Sequence, residues 1–311
     1  MTRTDVAATP GRVLAAFVTL YLVWGSTYLG IRIAVETLPP FLLAGARFVV
    51  AGAVILAIAR HRGTVFPKGR EWLGAAGVGL CLVTLSNALI VWVEQRVPSG
   101  VVALFAAGSP LLISLLTWQR TGTPLGTRRL IGLALGTVGL VLLGSETFAA
   151  IPDPLRLGMI ALAMIAWAIG ATYGRDWPQT RNLLMGSGAQ MFAGGWIAIV
   201  AGVLLGEANH FDANAVSWQS LAAWGYLTVF GSMLAYTVFQ WLMEHVDATA
   251  VSSYTYVNPI VALALGALVA DEHITPRIVL ATMLLVPAVV LVVVKPRTAN
   301  GELGTETPQE P

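Results

Sequence analysis

The chain has 311 residues; 56% are hydrophobic, only 11% are charged, and the net charge is +2. Soluble domains carry roughly 25% charged residues, and a water-facing surface cannot be clothed with so few. With a mean hydropathy of +0.75, this excludes a soluble enzyme, a secreted disulfide scaffold and a disordered chain. What remains is an all-α integral membrane protein.

The small net charge also speaks against a nucleic-acid partner. One cysteine, Cys81, permits no intramolecular disulfide. His61, His210, His245 and His273 show no helical metal-ligand spacing, so neither a metal nor a cofactor is expected. The expected partners are the lipid bilayer and a small-molecule substrate.

About 20 apolar residues cross the hydrocarbon core as a helix. Ten segments qualify: 12–35, 39–60, 70–94, 98–119, 127–145, 156–175, 182–206, 217–243, 248–270 and 276–295. Pro39, Pro98, Pro124, Pro152, Pro178 and Pro276 fall at or near the breaks, as helix punctuation should. Residues 1–11 precede the first segment as a short cytoplasmic stretch. That segment is too long for a cleaved signal peptide and reads as a retained helix.

The polar residues inside these segments carry the information, because polar groups at membrane depth are costly. In the first, Trp24, Thr27, Tyr28 and Ile31 share a face. In the second, Arg47 is either a counter-ion for a substrate carboxylate or a cation that snorkels or finds a structural partner among carbonyls. The second reading weighs more, since a long side chain reaches polar surroundings. In the third, Thr84, Asn87, Val91 and Glu94 form an inclined stripe, with Trp92 nearby. The fourth contains Ser109-Pro110. In the fifth, Gly132 and Gly136 form a GxxxG step for close packing within or between subunits, which leaves a homodimer open. In the eighth, Ser232, Tyr236 and Gln240 repeat at spacing four. In the ninth, Ser252, Thr255, Tyr256 and Pro259 share a face, beside Tyr254 and Asn258. Residues 298–311, with Glu302, Glu306, Glu310 and two prolines, read as a disordered cytoplasmic tail.

Two readings of these faces stand side by side. In one, Trp24, Thr27, Tyr28, Asn87, Trp92, Tyr236, Gln240, Tyr256 and Asn258 bind substrate, the rings stacking on its apolar part and the amides and hydroxyls holding a polar head. In the other they join helices by hydrogen bonds or anchor span ends at the interface. Pro110 and Pro259 each remove a backbone donor, giving a hinge or a packing kink. No carboxylate sits at the centre of a segment, so Glu94 is the candidate for coupling transport to protons. There is no Walker P-loop, GxSxG elbow or HExxH motif, which argues against an ATP-driven pump and an intramembrane hydrolase.

Arg3, Arg12, Arg60, Arg62, Lys68, Arg70, Arg120, Arg128, Arg129, Arg175, Arg181, Lys295 and Arg297 lie on one side of this arrangement; Arg32, Arg96, Arg156 and Arg277 lie on the other. The positive-inside rule then puts both termini in the cytoplasm. The chain also repeats itself. Trp92 and Pro110 match Trp241 and Pro259, Thr127 and Arg129 match Thr275 and Arg277, and Gly25-Ser26-Thr27-Tyr28 resembles Gly170-Ala171-Thr172-Tyr173. A five-helix unit is odd in number, so a second copy enters the membrane from the opposite side. The expected architecture is two inverted five-helix repeats, residues 12–145 and 156–295.

Several stretches resemble one family: Trp24-Gly25-Ser26-Thr27-Tyr28 with Arg32, Arg47-Phe48, the run from Glu94 through Val97-Pro98-Ser99-Gly100, and Ser253-Tyr254-Thr255-Tyr256-Val257-Asn258-Pro259. In order and spacing over residues 12–295 they resemble the EamA-type members of the drug/metabolite transporter superfamily, above all its bacterial YedA-like group. The departures are Ala270-Asp271-Glu272, where relatives often carry Gly-Glu, and the weak second copy at Trp167 to Tyr173. The resemblance implies ten helices in two inverted repeats, a cavity formed by helices 1, 3, 4, 6, 8 and 9, and inner-membrane export of small metabolites, commonly amino acids. The function expected is therefore a secondary carrier working by alternating access. Its rivals are an uncoupled facilitator and a membrane adaptor that transports nothing.

Overall fold

The computed structural model describes residues 9–97, 99–106, 108–144, 153–269 and 276–293. The expected N-terminal stretch up to residue 8 and the tail at 298–311 lie outside the described residues, as do the segment ends near residues 145, 270 and 295. Among the described residues there are helices and turns but no strand, the arrangement that hydrocarbon permits because a helix satisfies its own backbone.

In chain order the helices are α1 (Pro10–Ala34), α2 (Pro40–His61) and α3 (Gly69–Glu94). Next come α4 (Ser99–Ala106), α5 (Ser109–Thr121), α6 (Thr127–Gly144), α7 (Pro154–Tyr173) and α8 (Leu183–Leu204). The last are α9 (Trp218–His245), α10 (Ala248–Val251), α11 (Tyr254–Val269) and α12 (Pro276–Val293). Six of them, α1, α2, α3, α7, α8 and α9, are long and apolar enough to cross a membrane. Helices α1, α2 and α7 begin with proline and α5 has one at its second position, where the missing N–H has no intrahelical partner to lose.

The fourth expected segment is two helices, α4 and α5, meeting near Gly108. Pro110 stands in the first turn of α5, so it marks the restart of a helix rather than a kink inside one. The ninth is likewise split. Helix α10 ends at Val251, Ser252 and Ser253 form a turn, and Pro259 lies inside α11. Around that turn Ser252, Ser253 and Thr255 each donate a side-chain hydrogen bond to a carbonyl three residues back. Such bonds compete with the helical ladder.

Helices α3 and α9 share an irregularity. Each is α-helical at both ends and π-helical in the middle, over Leu80–Ala88 and Leu227–Leu234. A π-turn inserts one residue and shifts the phase of everything after it.

Lipid tails are as apolar as leucine, so helix association rests on close packing. Helices α2 and α8 run antiparallel with their backbones in contact. A Cβ on Gly52 would lie 2.5 Å from the Phe192 amide nitrogen, and one on Gly45 would lie 2.8 Å from the Gly195 carbonyl oxygen. Helix α6 packs in the same way on α12 and α11: a Cβ on Gly132 would meet Leu291 at 2.9 Å, and one on Gly136 the Tyr256 ring at 2.7 Å. Both glycines of the GxxxG step thus face neighbours within the chain. Helix α3 against α8, α1 against α9 and α11, and α7 against α3 make the other main seams, with a smaller one between α5 and α7.

Replacing Gly52 by alanine is predicted to cost about 1–3 kcal/mol through overpacking against backbone. Gly158, in α7, has nothing within 4 Å of an added Cβ. Gly158→Ala should be neutral or stabilise by up to about 1 kcal/mol. Thermal unfolding of the purified variants in detergent checks the pair.

Candidate functional site

A cavity of about 100 Å3 opens between α1, α2, α3, α4, α5, α7, α9 and α11. Its lining is of two chemical kinds. Trp24, Trp167, Phe239 and Tyr254 bring four rings together from α1, α7, α9 and α11. Trp24 stands 4.8 Å from Tyr254, 5.2 Å from Phe239 and 5.5 Å from Trp167, centroid to centroid. Edge-to-face and tilted contacts of this kind suit aromatic quadrupoles. Three of the four rings, Phe239 excepted, line the cavity. The polar part of the lining includes Tyr28, Arg47, Asn87 and Asn258.

Six of the nine expected site residues line this space: Trp24, Thr27, Tyr28, Asn87, Tyr236 and Asn258. The Trp24 indole donates to the Gly231 carbonyl at 3.1 Å, within the π-helical part of α9. Thr27 turns its hydroxyl back onto the Trp24 carbonyl at 2.7 Å. Asn87 accepts a hydrogen bond from Arg47 at 2.8 Å. Asn258 is buried and lies beside Tyr28, and its Oδ1 has no hydrogen-bond partner.

The other three lie outside the lining. Gln240 donates to Oε1 of Gln190 at 2.6 Å, and the same oxygen accepts from the Tyr236 hydroxyl at 2.9 Å. Gln190 in turn donates to Gln179 at 3.2 Å. Gln240 therefore belongs to an amide network behind the cavity wall. Tyr256 packs against Gly136, in a cluster with Leu133, Leu285 and Val292. Trp92 is held by Arg156, whose guanidinium lies 4.4 Å from its ring and donates to the carbonyls of Trp92 and Val93 at 3.3 and 3.4 Å. That cation covers the carbonyl end of α3, a favourable place for positive charge.

Neither proline lines the cavity, but Thr255, four before Pro259 in α11, does. Its carbonyl is the one Pro259 deprives of a helical donor. Glu94 also stands outside the lining. It is buried, both carboxylate oxygens lack a partner, and the nearest charges acting on it are Arg32 and Arg47.

Trp167 and Gln190 enter the picture from the structure, while Tyr254 and Arg47, already singled out in the sequence, stand in the lining. Gln190 had a visible signal, a lone amide in an apolar run. The role of Arg47 depends on what surrounds it, which the sequence does not show.

One end of the bundle carries ion pairs between loops. Arg120 donates to Asp176 at 2.7 Å, and Arg129 lies 3.4 Å from Asp247. The hydrogen-bonded Arg120 guanidinium holds the Asp176 carboxyl below its ordinary pKa range. The stabilisation is therefore full above that range and fades as pH falls through it. With both side chains partly exposed, the pair is worth about 1 kcal/mol or less.

A second cavity, of about 240 Å3, lies among Leu38, Leu42, Leu43, Phe211, Leu221 and Trp224. It offers no polar group for recognition.

The amide network gives a direct test. Gln190→Leu removes the acceptor shared by Tyr236 and Gln240 and should destabilise the protein by about 1–3 kcal/mol, read as a lower thermal midpoint in detergent.

Comparison with known proteins places this geometry. The model of the EamA-like transporter family matches residues 11–145 and again 156–294. The chain is 36% identical over 281 residues to the uncharacterized inner membrane transporter YedA of Escherichia coli (strain K12), covering 89% of each chain. It is 30% identical over 281 residues to Protein PecM of Dickeya dadantii, covering 87% of this chain and 88% of that one. A solved crystal structure superposes with a TM-score of 0.72 at 18% identity, over 91% of this chain and 96% of the other. That likeness speaks to the fold alone.

Proposed function

The chain belongs to the EamA-like transporter family, and from that premise we propose that it is an inner-membrane secondary carrier that exports small amphipathic metabolites, amino acids among them, by alternating access. The observation that carries the reading is one cavity lined both by aromatic rings and by amides, hydroxyls and a guanidinium. Such a space matches a solute with an apolar body and a polar head.

The proposed architecture is ten membrane segments in two inverted five-helix repeats, with both termini in the cytoplasm. Three features support it. The family model matches twice in tandem. The two π-helical stretches begin at Leu80 and Leu227, close to the spacing of the matched sequence clusters. Helix α2 pairs with α8 and α6 with α12, while α1 packs on α11 and α7 on α5. If α4–α5 and α10–α11 are taken as the fourth and ninth segments, these are pairings that a twofold axis in the membrane plane would generate.

On this reading Trp24, Thr27, Tyr28, Asn87, Tyr236 and Asn258 contact the substrate. The breaks before α5 and before α11, with Pro110 and Pro259, absorb the change between inward and outward states. Glu94 is the coupling carboxylate, buried and within electrostatic reach of Arg32 and Arg47.

The test is counterflow in proteoliposomes holding the purified protein, using labelled amino acids. Saturable uptake accelerated by internal unlabelled substrate is expected; uptake without that acceleration would indicate a facilitator. Alanine at Asn87 or Asn258 should lower uptake efficiency about tenfold, the equivalent of losing about 1.4 kcal/mol of binding. Glu94→Gln should flatten the pH dependence of uptake, and an unchanged pH profile would remove Glu94 from the coupling role.

A further inference from the structure

We infer that Arg47 is the anion anchor of the cavity and that the substrate carries a single carboxylate, bound on the free edge of this guanidinium. The inference rests on the cavity being the transport site and narrows what that site accepts.

Snorkelling does not describe this arginine. Arg47 is 2% exposed. Its Nη2 donates to Asn87 Oδ1 at 2.8 Å, and its guanidinium carbon lies 4.4 Å from the Phe48 ring centroid. Those contacts fix the group without satisfying it, because Nε and Nη1 have no hydrogen-bond partner. Nη2 has two hydrogens and spends one on Asn87. The other, with Nε or Nη1, makes the planar two-donor edge that grips a carboxylate.

Among the described residues, no carboxylate hydrogen-bonds to that edge. Glu94 acts on Arg47 electrostatically, yet both its oxygens lack hydrogen bonds. A buried cation left this incomplete is costly. A ligand carboxylate would complete it.

The rest of the cavity defines the anion. Among the described lining residues Arg47 is the only charged one. One cation balances one anion; a phosphate dianion would leave an excess negative charge in a low-dielectric site. Trp24, Trp167 and Tyr254 supply surface for an apolar body. Asn258 Oδ1, also without a partner, is an acceptor for a second polar group such as an ammonium.

Binding to the purified wild-type protein tests this, read by the fluorescence of its tryptophans, two of which line the cavity. The ligands keep one side chain and vary the head: leucine, 4-methylpentanoate, leucinamide, 3-methylbutylamine and 3-methylbutyl phosphate, with the matching phenylalanine series beside them. The carboxylates should bind at least tenfold more tightly than the amides and amines. Arg47→Gln should abolish that preference, and Arg47→Lys, which keeps the charge, should retain a weakened form of it.

Amides or amines binding as well as carboxylates would overturn the inference. So would a phosphate ester binding more tightly than its carboxylate, or folded Arg47→Gln behaving like the wild type. Failure of every carboxylate in both series to bind also overturns it; counterflow of a neutral or cationic solute by the same preparation would then leave the carrier reading standing. Carboxylate binding without counterflow would instead keep the anchor and remove the carrier.

Discussion

Hydrocarbon cannot hydrogen-bond, and this constraint organises the molecule. It forces the backbone into helices that satisfy themselves. It removes the hydrophobic drive for helices to associate, so α2 and α8 meet through Gly45, Gly52, Gly188 and Gly195, where backbones touch. It also makes any polar side chain inside the bundle an exception that needs a partner. Most find one: Thr84 donates to the Gly194 carbonyl, Ser220 to the Ile33 carbonyl, and Tyr236 and Gln240 share Gln190. Those with atoms left over include Arg47, Glu94 and Asn258, which lie at or next to the cavity. Thr117, Thr172, Ser187 and the Tyr256 hydroxyl also lack partners and stand outside its lining.

The same packing divides the bundle into tight and loose parts. At the α2–α8 and α6–α12 seams a single added methyl group collides with a neighbour, which suits elements that move as units. Irregular backbone is concentrated around the cavity instead. It includes the α4–α5 break, the serine turn before α11, and the π-helical stretches that bring Leu82, Ser86, Asn87 and Gly231 to the lining. On the proposed cycle these are the places where the chain bends while the glycine seams hold.

Much of the fold was legible because the spanning requirement is written in composition: a run of about 20 apolar residues has few alternatives. The site was legible where a face follows the ordinary helical period. Trp24, Thr27 and Tyr28 on regular α1 all reach the cavity. The period does not say how far a shared face lines a cavity. Tyr236 and Gln240, four apart in the regular end of α9, both reach Gln190, but only Tyr236 also touches the lining. Tyr256 follows the turn at Ser252 and Ser253 and faces α6. Trp92 is held by Arg156, a partner 64 residues away that no local pattern announces. Arg47 is the sharpest case. A cation in an apolar run reads as a snorkelling side chain until its surroundings are known, and those surroundings are a ring, one amide oxygen and a cavity.

The central claim is that this one cavity faces each side of the membrane in turn. Sided labelling tests it most directly. With Cys81 replaced by serine, a single cysteine at Ser109, which lines the cavity, is treated with a membrane-impermeant thiol reagent from one side or the other of oriented vesicles. The account predicts labelling from both sides, with saturating substrate slowing both reactions and substrate on one side shifting reactivity between them. Reactivity from one side only under every condition, or a path that lets the reagent itself pass through, would contradict it.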